Sequence, residues 1–217
     1  MSANTTSGFS IVNWNGTEAS ATVAHGLSQA PEIIIVKDVD SARSWPVNTE
    51  NTTGTSNGYL LLDTDAAQAD SSAYWGAAPG ASVFTLGDSA NTNDDASMIA
   101  YCFHSVEGCS KIFSFTGNNN ADGPFLYTGF KPAVVIGKCV GASGGWAIID
   151  STRNAYNVAG DSLYPNTADV ADVSTTVGLD FLSNGIKVRS TSGSWNQSDT
   201  MLAIAFAESP FKYSNAR

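Results

Sequence analysis

The sequence predicts an all-β fold, a β-sandwich or jelly-roll-like body built from two pseudo-repeats of about 100 residues each. Three observations carry this prediction. Short apolar or alternating runs, rich in β-branched and aromatic residues, are bounded by clusters of Gly, Pro, Asn and Ser. No long segment repeats its apolar residues at the helical period. Only 14% of the residues are charged although 42% are hydrophobic, so the surface must be wetted mainly by Ser, Thr, Asn, Gly and backbone groups, which suits sheets and loops.

Taken in chain order, Met1–Ser7 is polar and reads as a flexible N-terminal segment, ordered only by a neighbour. Residues 8–107 form the first β repeat, with strands at Ile33–Lys37 and Met98–Phe103; residues 108–217 form the second, with strands at Val134–Lys138, Ala147–Asp150 and Met201–Ala207. Asn57-Gly58, Gly117-Asn118 and Asn184-Gly185 mark turns, where a residue must take positive φ. The Ala-rich stretch Asp63–Ser72 reads as a helix of about two turns at most. Between Phe103 and Ile112 the chain is too short and too apolar for a tether, so the two repeats are expected to pack as one rigid body.

The repeat itself is visible at an offset of 101 residues. Ile11-Val12-Asn13-Trp14-Asn15-Gly16 aligns with Ile112-Phe113-Ser114-Phe115-Thr116-Gly117, and Pro31–Lys37 with Pro132–Lys138. Trp45 then falls on Trp146, and after small loop insertions Phe84 meets Phe181 and Phe103 meets Phe206. A fold read twice must keep its core twice, so aromatics aligned in both halves are assigned to packing.

Ten Lys and Arg against 20 Asp and Glu give a net charge of −10. That balance opposes nucleic acid, whose binding depends on cations displacing counterions, and anionic membrane surfaces. No apolar stretch is long enough to span a bilayer and the N-terminus lacks the pattern of a signal peptide, so synthesis in a cytoplasm without membrane insertion is expected. Cys102, Cys109 and Cys139 cannot all pair and lack zinc-site spacing; they read as thiols packed as small hydrophobes.

Motifs with chemical meaning are few. Gly141-Ala142-Ser143-Gly144-Gly145 satisfies the nucleophile-elbow pattern, yet a strand-like run follows where a helix is required, and both histidines, His25 and His104, lie upstream of Ser143. Asp150, Asp161, Asp169, Asp172 and Asp180 could offer a carboxylate pair for glycosidase chemistry, but nothing separates them from a solvated acidic surface. The Asp63, Asp65, Asp70 series lacks the glycine and closing glutamate of a calcium loop, with Tyr74 in the glutamate's place. No catalytic residue, metal site or cofactor is expected. His25 aligns with Thr128 and reads as a turn hydrogen-bonder, His104 reads as structural, and the repeated Lys37 and Lys138 read as charges that cap strand edges.

Several motifs in fixed order resemble a duplicated β-rich domain of tailed, often marine, bacteriophages. The first half supplies Gly8-Phe9-Ser10-Ile11-Val12, His25-Gly26-Leu27, Ala30-Pro31, Ile34-Ile35-Val36-Lys37, Tyr101-Cys102-Phe103 and Val106-Glu107-Gly108. The second half matches more closely, with Phe115-Thr116-Gly117-Asn118, Asp122-Gly123-Pro124-Phe125, Tyr127-Thr128-Gly129-Phe130, Gly145-Trp146, Asp150-Ser151, Arg153-Asn154, Leu163-Tyr164-Pro165-Asn166, Asp180–Gly185 and the tail from Ala205-Phe206-Ala207-Glu208 to Arg217. The resemblance implies a virion structural protein that is not an enzyme, displayed on the particle as a receptor-binding tail-fibre tip or a capsid decoration. Its implied partners are other virion proteins, further copies of itself, with a trimer favoured, and a host cell-surface glycan. A stand-alone carbohydrate-binding β-sandwich is the alternative.

Tyr74, Trp75 and Trp195 remain once the aligned aromatics are set aside, each in a Ser- and Gly-flanked segment. They are the candidate contacts to a glycan or a neighbouring subunit, since loop aromatics offer stacking faces and anchors. The other reading of Trp75 and Trp195 is that they tuck under their loops and close the ends of the sandwich.

Overall fold

The computed structural model describes residues 1–173 and 177–210. The fold is all-β, with antiparallel sheets throughout and three single-turn helices among the described residues. The chain divides into two compact units: Met1–Asp63 with Gln68–Ser105, and Thr64–Ala67 with the chain from Val106 onward. The boundary thus falls between Ser105 and Val106, and four residues of the first half belong with the second unit.

In the first unit the elements are β1 (Ser2–Asn4), β2 (Phe9–Asn15), β3 (Ala21–Ala24), β4 (Ile33–Asp38), β5 (Pro46–Asn48), α1 (Glu50–Thr53), β6 (Gly58–Leu61), β7 (Ala69–Asp70), β8 (Trp75–Ala77), β9 (Val83–Leu86), α2 (Ala90–Asn93) and β10 (Ser97–Phe103). A seven-stranded sheet runs β1-β2-β10-β4-β5-β6-β7, and a three-stranded sheet runs β3-β9-β8. Their facing residues form one core, in which Val12, Ile34, Val36, Met98, Ala100 and Cys102 of the larger sheet meet Trp75, Phe84 and Leu86 of the smaller. Alternation decides which side chains face inward: in β10, Met98, Ala100 and Cys102 are buried while Ile99, Tyr101 and Phe103 are half-covered.

The second unit contains β11 (Ser110–Thr116), β12 (Phe125–Tyr127), β13 (Pro132–Cys139), β14 (Ala147–Asp150), β15 (Asp161–Leu163), β16 (Asp172–Val173), β17 (Leu179–Leu182), β18 (Gly185–Val188), α3 (Gly193–Asn196) and β19 (Thr200–Ala207). Its larger sheet runs β11-β19-β13-β14-β15-β16 and its smaller one β12-β18-β17. Val135, Ala147, Ile149 and Ala205 meet Leu126, Leu179, Phe181, Ile186 and Val188 across the core. From β2 and β11 outward, the two large sheets follow the same strand order.

The single-turn helices α2 and α3 are the same device in both units. Ser89 and Ser192 cap them, each hydroxyl accepting an N–H from two residues on. The last residue of each turn, Asn93 or Asn196, is buried and pins the loop that follows the first long strand. Asn93 donates to Thr17 Oγ1 and accepts from the Trp14 indole at 3.2 Å; Asn196 donates to the Asn120 carbonyl at 2.7 Å and accepts from the Asn118 N–H at 2.9 Å. This closeness demands glycine beneath: a Cβ on Gly16 would lie 1.7 Å from the Asp94 carbonyl oxygen, and one on Gly117 would lie 1.9 Å from that of Gln197.

Three expectations are corrected. Met1–Ser7 contains a strand: β1 pairs antiparallel with Phe9–Ile11, and the Asn4 side chain accepts the N–H groups of Thr6 and Ser7 to close the turn between them. Asp63–Ser72 is not helical. Its Ala69 and Asp70 form the two-residue edge strand β7, since a short alanine run has no apolar stripe to bury as a helix. Phe84 lies on the middle strand of its small sheet, whereas Phe181 lies on an outer strand; by strand order the residue at Phe84's position is Ile186, opposite Leu126 as Phe84 is opposite Val23.

Candidate functional site

The three aromatics expected to contact a ligand do not form a surface. Trp75 is 0% exposed and Trp195 2%, and they lie in the cores of different units. Burying an indole recovers more free energy than any loop contact, and both Nε1 donors are buried without a hydrogen-bond acceptor. Tyr74 is half-buried, its ring stacked on Tyr59 at 4.1 Å and its hydroxyl accepting from Asn91 at 2.9 Å. Trp75 and Trp195 are therefore structural, and Tyr74 is held by its own unit.

The remaining singled-out residues also have local duties. Ser143 sits in the connection between β13 and β14 and donates to the Asp65 carbonyl at 3.2 Å, so a strand does follow it. His25 is buried; its Nδ1 accepts the Leu27 N–H at 3.1 Å, which leaves Nε2 to donate to the Gly80 carbonyl at 3.1 Å. Burial, above all, pushes the His25 imidazolium below its ordinary range. Its counterpart Thr128 closes the same turn by donating to the Phe130 carbonyl at 2.6 Å.

Lys37 and Lys138 do not guard sheet edges, because β4 and β13 are interior strands. Each clamps a loop through backbone carbonyls. Lys37 reaches Ser41 and Arg43, both at 2.8 Å. Lys138 is fully buried and reaches Ala66 and Cys139 at 2.8 Å and Asp65 at 3.3 Å, which fastens Thr64–Ala67 to the second unit. Its Nζ is donor-saturated by neutral acceptors, and burial lowers its pKa to about 8.

The concave surface with a free aromatic is elsewhere. In the second unit a cleft of about 400 Å³ is lined by Lys131, Ser151, Asn154, Tyr156, Asn157, Phe181 and Glu208, among others. Tyr156 is 88% exposed on the loop after β14, while Phe181, 7% exposed, belongs to the core. Rigid local bonding shapes this loop. Asp150 accepts the N–H groups of Thr152 and Arg153 at 3.0 and 2.8 Å and pairs with the Arg153 guanidinium at 2.6 Å. Burial alone would raise the Asp150 carboxyl, but the backbone and side chain of Arg153 outweigh it and hold it below the usual range.

Two amides set the walls of the cleft. Asn154 accepts from the N–H groups of Gly160 and Asp161 at 3.0 and 2.8 Å, and Asn157 exchanges two bonds with the backbone of Phe181, at 2.9 and 3.2 Å. Lys131 pairs with Glu208 through both carboxylate oxygens, at 2.9 and 3.1 Å. Among the described residues, the cations near the cleft, Lys131 and Arg153, are thus matched by carboxylates. Sequence reasoning named Ser151, Asn154 and Glu208 only as parts of motifs and assigned Phe181 to packing; Tyr156 carried no signal, because a lone tyrosine between Ala155 and Asn157 has no pattern.

The chain matches, over residues 1–210, the model of a family described as Domain of unknown function (DUF7483). It belongs to that family. Comparison with curated proteins and with solved structures finds no match. For this DUF7483 member, no three His, Cys, Asp or Glu side chains among the described residues are placed to hold a metal ion, and no described helix is long and apolar enough to cross a membrane.

Proposed function

We propose that this chain is a structural protein of a tailed-phage particle, displayed on the virion surface as a fibre tip or capsid decoration and assembled there after synthesis in the host cytoplasm. The observation that carries the reading is convergence: Ser151 with Asn154, Phe181, and Glu208, drawn from three separate stretches of the phage-domain resemblance, line one surface cleft. Residues that serve packing alone need not meet at a concavity. A weakly charged, Asn/Thr/Gly-wetted surface supports the same reading, because stability that rests on apolar cores and backbone ladders depends little on salt.

Self-association, with a trimer favoured, is supported by Phe125 and Tyr127. They are 47% and 59% exposed, two residues apart on β12, and therefore on one face of its sheet. Mass spectrometry of purified particles is expected to find the chain, and sedimentation at micromolar concentration to find an oligomer that Phe125→Ser/Tyr127→Ser converts to monomer. Absence from particles overturns the virion reading, and a wild-type monomer overturns the oligomer.

A further inference from the structure

The Tyr156 cleft combines three features that point to one class of ligand. The tyrosine ring stands in solvent at 88% exposure, presenting a flat apolar face beside a polar hollow. An aromatic so placed has no packing role in its own unit, and its face suits the C–H face of a pyranose ring. The neighbouring amides are already oriented. Asn157 is tied twice to Phe181 and Asn154 is tied to Gly160 and Asp161, so each has its remaining hydrogen-bonding capacity fixed in direction before any ligand arrives. Preorganised polar groups beside an aromatic face favour a ligand rich in hydroxyls.

Charge narrows the class further. Lys131 is neutralised by Glu208 at 2.9 Å and Arg153 by Asp150 at 2.6 Å, so among the described residues the cleft has no spare cation to hold a carboxylate, sulfate or phosphate. The chain as a whole, at −10, repels polyanions. A volume of about 400 Å³ lies in the range of small-ligand sites.

We infer that the cleft between Tyr156 and the Lys131–Glu208 pair is a binding site for neutral saccharide, with Tyr156 as the stacking platform and Ser151 and Asn157 as hydroxyl partners. This rests on the reading of the chain as a surface-exposed recognition protein and names what it recognises.

The test uses the full chain, isotope-labelled, with neutral oligosaccharides of glucose, mannose, galactose and N-acetylglucosamine as probes and with sialyllactose and polygalacturonate as anionic ones. At least one neutral probe is expected to shift the amide signals of Ser151, Tyr156 and Asn157, while the anionic probes leave them unmoved. Tyr156→Ala is expected to weaken binding about tenfold with unchanged melting, and Tyr156→Trp to retain it. The inference is overturned if no neutral probe binds at about 10 mM, if an anionic probe binds more tightly, or if Tyr156→Ala binds as wild type. Saccharide binding by a chain missing from purified particles removes the virion reading and leaves this one standing; a particle-borne chain that binds none of the neutral probes does the reverse.

Discussion

The first unit buries one indole completely, Trp75, and the second buries two, Trp146 and Trp195; Trp75 and Trp195 fill their cores from different elements. In the first unit Trp75 comes from strand β8, while the large sheet supplies Val36 and the helix α2 supplies Thr92. In the second, α3 supplies Trp195, the sheet position opposite Ala203 is Gly137, and the strand position opposite Val188 is Leu179. Gly137 makes room for the indole: a Cβ there would lie 2.6 Å from Trp195 Cζ3. Core volume is what the architecture holds constant, and the element that delivers it is free to change.

The largest effect that could break this comparison is truncation of either indole. Trp75→Ala and Trp195→Ala are each expected to cost about 3–5 kcal/mol, by lost transfer free energy and an unfilled cavity. Denaturant unfolding of the single variants measures it, and a loss below about 1 kcal/mol in either would show that the ring is not part of a close-packed core. The comparison is sharpened by Gly137→Val with Trp195→Thr, which moves the second unit toward the first. Gly137→Val alone clashes with the ring; combined with Trp195→Thr it fills part of the hole. The pair is therefore expected to cost less than the sum of the singles by roughly 1–3 kcal/mol.

The same contrast explains what the sequence could and could not disclose. Ile33–Asp38, Ala147–Asp150 and Ser97–Phe103 were legible because β-branched runs bounded by turn residues leave little choice of conformation, and the structure moves their ends by a residue or none. Aligned positions such as Trp14 and Phe115 were legible as equivalents, since both stand opposite a methionine, Met98 or Met201. Trp75 and Trp195 were not, because asking for the same residue at the same offset misses a core filled from another element. The cleft was illegible for a different reason. Lys131, Ser151, Phe181 and Glu208 lie far apart in sequence, and they are gathered only by the pairing of β13 with β14 and β19 together with the two bonds from Asn157 to Phe181 on β17.

A smaller effect probes the feature the units share. Gly16 and Gly117 lie under the carbonyls of Asp94 and Gln197, at distances no Cβ tolerates, and the obstacle is backbone in both cases. Gly16→Ala and Gly117→Ala are each expected to cost about 3 kcal/mol, because the α2 or α3 turn must shift and its asparagine must leave the loop it pins. Thermal melts of the two variants should agree within about 1 kcal/mol. A difference well beyond that would mean the Ser-capped turn is a shared shape without a shared energetic role.

The smallest effect separates the two lysine clamps, and it depends on pH. Lys138 is fully buried while Lys37 is half-exposed, although both hold loops through carbonyl oxygens. Burial lowers the folded pKa of Lys138 from 10.5 to about 8. Below about pH 8 both folded and unfolded chains carry the charge, and the folded state bears the full desolvation penalty. Between about 8 and 10.5 the folded chain has released the proton and the unfolded chain has kept it, so unfolding takes up a proton and stability rises with pH. The thiols act in the opposite sense. Burial raises Cys102 from 9.0 to about 12 and also raises Cys109 and Cys139, so from the unfolded thiol pKa upward the unfolded chain loses protons that the folded chain retains, and stability falls. The quantity to measure is therefore the stability of the wild type minus that of Lys138→Met, both in a Cys139→Ala background, in which the contributions of Cys102 and Cys109 cancel. That difference is expected to grow in favour of the wild type by about 1 kcal/mol per pH unit between pH 8 and 10. A difference independent of pH would show that the three carbonyls of Asp65, Ala66 and Cys139 solvate the ammonium as well as water does, and that the clamp on Thr64–Ala67 stays charged throughout.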